Sequence, residues 1–189
     1  MQPRIKLHVL PGGKLPARQT DGAVGYDVCI RALVSPHEMD PDTPHLRKTL
    51  FDFQTFTYDP QTNRQVWRDD SGRLAYRLDP QESVLVGVGF LTEMPFPMFY
   101  SILPRSGLTS KMDIDVRNLS IPIDPDYRGE AGALVYNRGS KPFDLYHGMR
   151  IGQIVFLNAL IPEFTEVKSP QDLSESRRGV NSHGSTGLR

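Results

Sequence analysis

The densest run of chemically capable side chains is Pro104-Arg105-Ser106-Gly107-Leu108-Thr109-Ser110-Lys111, directly after an apolar segment. An Arg-Ser-Gly turn entering a helix gathers a guanidinium, a hydroxyl and unpaired backbone N–H groups. That combination suits a phosphate, because helix N-termini and arginine both favour negative charge. Taken alone, the run also reads as a plain helix start with a surface arginine. A second run is Asn118-Leu119-Ser120-Ile121-Pro122-Ile123-Asp124-Pro125-Asp126-Tyr127-Arg128-Gly129-Glu130. Asp124, flanked by Ile123 and Pro125 on a tight hairpin, is rigid and partly desolvated, as a general base requires. Tyr127 nearby offers a flat face to a sugar or base. By itself this run also reads as a β-turn, with Asp126 and Gly129 doing turn chemistry. The third is Arg177-Arg178-Gly179-Val180-Asn181-Ser182-His183-Gly184-Ser185-Thr186-Gly187. Gly179 and Gly184 have the spacing of a Walker phosphate loop, but Ser185 stands where its lysine belongs and no strand precedes it. What remains is a glycine-hinged strip of arginine, hydroxyls and one aromatic ring that can fold over an anion.

Elements must hold these groups, and the pattern predicts strands. Apolar runs at Arg4 to Val9, Gly25 to Ile30, Val84 to Leu91, Ala133 to Asn137, Ile151 to Leu157 and Phe164 to Val167 are short and bounded by turn residues. Helical periodicity is scarce; one short helix is expected near Ser106. Residues 34–77 are polar and turn-rich, with alternation at Thr49 to Phe56 and apolar patches at Val66-Trp67 and Leu74 to Tyr76. They predict a β-meander extending from the main body. From Ser169 onward large apolar side chains nearly vanish, so that stretch is expected to be a mobile tail. Many short strands at irregular spacing favour an all-β sandwich, barrel or jelly roll.

Composition narrows the function. The 189 residues hold 22 Lys+Arg and 22 Asp+Glu, a formal charge of zero. General nucleic-acid or anionic-membrane binding, which needs a basic excess, is not expected. A single cysteine, Cys29, excludes an internal disulfide framework and a cysteine zinc cluster. No run reaches the ~18 consecutive apolar residues of a membrane span, and the N-terminus has no signal-peptide apolar region. An intracellular, soluble protein, cytoplasmic by default, is expected.

In their order along an all-β chain, these runs resemble the five motifs of the trimeric dUTPase family. Gly22-Ala23-Val24-Gly25-Tyr26-Asp27 is similar to the first and Pro104 to Leu108 to the second. Ile123 to Gly129 matches the core of the third. Gly148-Met149-Arg150-Ile151-Gly152-Gln153-Ile154 resembles the fourth, and Arg178-Gly179 through Gly184-Ser185-Thr186-Gly187 the fifth. The likeness spans nearly the whole chain except 34–77, which looks like an insertion. It implies a distorted jelly-roll β-barrel over residues 1–168, with a flexible tail, 169–189, closing over the active site.

The resemblance also implies an activity: water attack at the α-phosphorus of dUTP, giving dUMP and pyrophosphate, with Mg²⁺. Asp124 would be the general base. Tyr127 would stack on the deoxyribose and exclude a 2′-hydroxyl. Arg105, Ser106 and Gly107 would hold the triphosphate, and Gln153 would contact phosphate or its waters. Asn118 would lie at the hairpin whose backbone reads uracil. Arg178 would reach the γ-phosphate, Ser185 and Thr186 would add donors, and His183 would cover the uracil ring where the family usually carries Phe. Asp27 would steady waters around a magnesium bound by the phosphates, with no direct protein ligand. A homotrimer with shared sites would follow. Ile121-Pro122 departs from the family's small-apolar pair, and Pro122 has no N–H to donate.

Two rivals are weighed. The dCTP deaminases share this fold and the fourth motif, yet they need a Glu and an Arg where this chain has Leu134 and Ser110. A weakly catalytic nucleotide-binding or interaction protein is the other. Its motive is a docking surface on 34–77 carrying Phe51, Phe53, Phe56, Tyr58 and Trp67.

Overall fold

The computed structural model describes residues 3–55, 65–176 and 179. Short apolar runs between turns become β1 (Lys6–Val9), β2 (Tyr26–Cys29), β3 (Ala32–Met39), β4 (Arg47–Phe51), β5 (Val66–Arg68) and β6 (Leu74–Leu78). They continue as β7 (Ser83–Gly87), β8 (Phe90–Glu93) and β9 (Met98–Pro104). Helix α1 (Ser106–Met112) follows, then β10 (Ile114–Val116), a 3-10 turn at Arg117–Ser120, β11 (Gly132–Asn137), β12 (Phe143–Tyr146) and β13 (Arg150–Asn158). The larger sheets run β10-β11-β7-β3-β4, β2-β13-β9 and β12-β6-β5, and β1 pairs with β8. All pairings are antiparallel. Side chains alternating toward the inner faces meet in one core. Ile30, Phe90, Tyr100, Ile102, Ile114, Leu145, Ile151 and Ile154 are fully buried there. Among the described residues no helix is long and apolar enough to cross a membrane.

Three expectations need correction. The run Val84 to Leu91 is two strands, β7 and β8, broken at Gly89. Gly89 has φ +74°, and a Cβ on it would lie 2.4 Å from the Cα of Gly13. Two glycines let one backbone cross another, and the strand turns there to pair with β1.

Phe164 to Val167 forms no strand; all four residues are exposed and none pairs with a sheet edge. The chain divides into two compact units at Ala159/Leu160. Within the second unit, Pro170–Asp172 is a short 3-10 turn closed by a capping box from Ser169.

The segment 34–77 does not project as a meander. β3 and β4 extend the sheet of β7, and β6 pairs along its length with β12 (Phe143↔Leu78 to Tyr146↔Ala75). Phe51, Phe53, Val66 and Leu74 are buried in the common core. The indole N–H of Trp67 donates to Asp144 Oδ1 at 3.0 Å. Phe51, Phe53 and Trp67 therefore serve the body and form no exposed docking surface. Phe56 and Tyr58 lie outside the described residues.

Candidate active site

Strand β13 sits between β2 and β9, and its register builds a polar cluster. Gln153 pairs with Asp27 on β2, and Gly152 pairs with Pro104 at the end of β9. Arg105 follows immediately, as the extended N-cap residue of α1. Asp27 thus meets two arginines: Arg105 Nε at 3.3 Å, and Arg150 Nη1 at 3.1 Å. Arg150 also donates to Gln19 Oε1 at 2.7 Å, and Gln153 Nε2 donates to Pro104 O at 3.2 Å. Ser106 is exposed, and the space above Gly107 is open. Arg105 makes no side-chain cap bond; Leu108 N and Thr109 N both donate to Arg105 O at 3.0 Å, which leaves the N–H groups of Ser106 and Gly107 without intrahelical partners. One carboxylate facing two guanidinium groups leaves this corner net cationic and suited to an anion.

The second cluster belongs to the loop before β11. Ile123 exchanges backbone bonds with buried Tyr100 on β9 (2.8 and 3.3 Å). Tyr127 N donates to Asp124 O at 3.2 Å, closing a turn on which Asp124 is exposed, not partly desolvated as expected, because the flanking Ile123 and Pro125 do not cover it within one chain. Arg128 Nη1 ties the loop down through Pro125 O at 2.7 Å. The Tyr127 hydroxyl donates to Glu130 O at 3.2 Å, and its ring folds back over Gly129. A Cβ on Gly129 would come within 2.4 Å of that hydroxyl, so only glycine allows this tyrosine pose. Asp124, Tyr127 and Asn118 line one cavity of about 360 Å³, with Leu85, Ile121 and Leu134 among its walls.

Asn118 is buried, and its amide is engaged: Nδ2 donates to Gly132 O at 2.9 Å and Oδ1 accepts from Leu134 N at 2.6 Å. It fastens the 3-10 turn to β11, so it shapes the cavity through the backbone. Asp27, Arg105 and Gln153 come together as expected, and so do Asp124, Tyr127 and Asn118. The two groups do not merge: none of Asp27, Arg105, Ser106 or Gln153 lines the cavity of Asp124. Arg178, His183, Ser185 and Thr186 lie outside the described residues.

Several residues escaped the sequence reading. Arg150 stood within a quoted motif without a role, although a cation at the end of a strand beside an acidic partner strand was a usable signal. Glu130 is wholly buried, and its carboxylate takes Arg31 Nε and Nη2 at 2.7 Å each and Gly89 N at 3.0 Å. A charged residue leading into an apolar strand was its sign. Arg47, from the inserted hairpin, also lines the cavity of Asp124, and nothing in its local sequence pointed there.

The dUTPase family model matches residues 71–187. The deoxyuridine 5′-triphosphate nucleotidohydrolase of Rhizobium rhizogenes is 32% identical over 193 residues, covering 99% of this chain and 96% of that protein. In structure, the chain is similar to a mutant dUTPase of Staphylococcus bacteriophage 80alpha solved with dUpNHpp. That match has TM-score 0.64 and 18% identity over 98% of this chain and 99% of that one. It is also similar to a mutant dUTPase from phage phi11 of S. aureus, described for its coordination of a structural Mg(II) ion. There the TM-score is 0.61 and the identity 14%, over 88% and 97% of the two chains. The fold is the expected jelly roll. With the family model spanning most of the chain and a relative matched end to end, this protein belongs to the dUTPase family, enzymes that hydrolyse dUTP to dUMP.

Proposed function

We propose that Asp124 is the general base of dUTP hydrolysis and that the site is completed between copies of the chain in a homotrimer. The observation that carries the first part is the cavity in which Asp124 and Tyr127 meet on a loop fixed at both ends. Asp124 takes a proton from the water that attacks the α-phosphorus. The new P–O bond forms as the bond to the β-phosphate oxygen breaks, so dUMP and pyrophosphate separate. A carboxylate is a weak base in water, so fixed placement supplies much of the gain. Tyr127, pinned by Glu130 O, presents its ring to the deoxyribose. Arg105 and Arg150, with the Ser106 hydroxyl and the open backbone at Gly107, receive the triphosphate, and Gln153 borders it. In this reading Arg178, His183, Ser185 and Thr186 close over the nucleotide as part of the tail.

Mg²⁺, when bound, draws charge from the phosphate oxygens. Asp27, already taken by two arginines, is better placed to accept from metal-bound water than to ligate directly. Leu134 lines the cavity where a deaminase would need its carboxylate, which weighs against attack on a cytosine ring. A cytoplasmic setting, where a free thiol such as Cys29 persists, accords with this chemistry. The direct test is a panel of dUTP, dCTP, dTTP and UTP with pyrophosphate detection. Release from dUTP far above the other three is expected; ammonia release from dCTP would overturn the reading.

Two observations support the trimer. Arg105 and Ser106 do not line the cavity of Asp124 in the same chain, so each group needs a counterpart. Leu160 and Phe164, each 94% exposed, leave apolar surface that a neighbour would cover. Co-expressing Asp124→Asn with Arg105→Ala, each inactive alone, is expected to regenerate intact sites. Random assembly makes roughly one site in four whole. No activity in the mixed preparation would place the whole site within one chain.

A further inference from the structure

The wall of the Asp124 cavity is short of backbone donors. Ile121 N is spent on Asn118 O at 2.8 Å, Pro122 has no N–H, and Ile123 N is spent on Tyr100 O at 2.8 Å. The Asn118 amide oxygen and the Leu134 N–H are spent on each other at 2.6 Å. The Tyr127 hydroxyl is turned to Glu130 O. A pyrimidine entering here brings exocyclic carbonyl oxygens that need donors, because a buried acceptor left unpaired is costly.

One lining residue has donors to give. Arg47, at the start of β4 in the inserted hairpin, is half-buried and lines this cavity. Its Nε donates to Glu130 O at 3.3 Å, and its Nη1 to Pro36 O at 3.2 Å and Ser35 O at 3.5 Å. Among the described residues Nη2 has no partner, and no carboxylate lies within ion-pair distance of the guanidinium. Three backbone carbonyls fix the group in place while its charge remains uncompensated. The carboxylate of Glu130, whose carbonyl Arg47 meets, is committed to Arg31.

We propose that Arg47 is a specificity-determining residue: its free guanidinium edge donates to the exocyclic oxygen that uracil carries where cytosine has an amino group. The insertion thereby supplies the donor that Pro122 withholds from the hairpin. A cytosine amino group at that place meets donor with donor and is rejected. The inference rests on the dUTP reading above and adds the source of its base selectivity.

The test is calorimetric titration of the full-length chain with the non-hydrolysable imido analogues dUpNHpp and dCpNHpp, for wild type, Arg47→Met and Arg47→Lys, with a circular-dichroism melt for each. Arg47→Met is expected to weaken dUpNHpp by about tenfold to a hundredfold, the worth of one charge-assisted hydrogen bond. Affinity for dCpNHpp should not fall, so the preference collapses. Arg47→Lys, which keeps the charge but loses the fork, is expected to fall between. An unchanged preference in Arg47→Met, or an equal loss for both analogues, overturns the inference. If Arg47→Met melts early, Arg47→Lys decides alone: wild-type preference there overturns it. A wild-type protein that binds dUpNHpp selectively yet releases no pyrophosphate from dUTP would overturn the catalytic reading and leave the role of Arg47 standing.

Discussion

Asp124→Asn should abolish pyrophosphate release from dUTP while nucleotide still binds. The exchange preserves shape and hydrogen-bonding reach but removes the only function the mechanism asks of this side chain, accepting a proton from water. Nothing that holds the loop depends on the carboxylate. Ile123 is anchored to Tyr100 through backbone atoms, Arg128 grips the carbonyl of Pro125, and Tyr127 N reaches the backbone oxygen of Asp124. The fold and the cavity should survive. Loss of a positioned base typically costs about 10²–10⁴-fold. Turnover numbers beside dUpNHpp affinity separate the two effects: kcat should collapse while Kd moves little. Wild-type-like turnover in this variant would refute the role of Asp124.

The largest loss of stability is expected at Arg31. Its guanidinium forms a two-pronged pair with Glu130, which is entirely buried, and the two are 99 residues apart in sequence. Arg31→Met leaves that carboxylate with Gly89 N–H as its chief remaining support. Breaking a buried pair from one side costs about 3–5 kcal/mol. Replacing both partners, Arg31→Met with Glu130→Leu, should recover much of that loss, because no charge is then stranded. Urea unfolding midpoints of the single and double variants decide the matter. A single variant as stable as wild type would mean the pair contributes nothing. Because Glu130 also carries the carbonyl that fixes Tyr127, the single variant should lose catalytic efficiency as well as stability.

What the sequence disclosed and what it withheld divide along contact range. The turn holding Asp124 and the helix start at Ser106 depend on neighbours a few positions away, so residue order announces them. Asp27, Arg105 and Gln153 were legible as motif members, yet only the register of β13 against β2 and β9 explains their meeting. The break at Gly89 was hidden because its cause is Gly13, in a crossing loop remote in sequence. Glu130 and Arg31 were hidden for the same reason. Phe164 to Val167 has strand composition, but composition does not provide an edge to pair with. In 34–77, the alternation at Thr49 to Phe56 continues as strand only to Phe51, after which Phe53 to Thr55 turn, and the partners were invisible: β6 finds β12, and β4 completes a sheet through β3.

That pairing of β6 with β12 has a practical corollary for anyone engineering this scaffold. The inserted segment is no detachable cassette. Excising it to recover a minimal enzyme would strip β12 of its neighbour and uncover Leu78 and Leu145, both now fully shielded from water. Length variation here should be tolerated in the exposed turns between β3 and β4, residues 41–44, and between β5 and β6, residues 70–73.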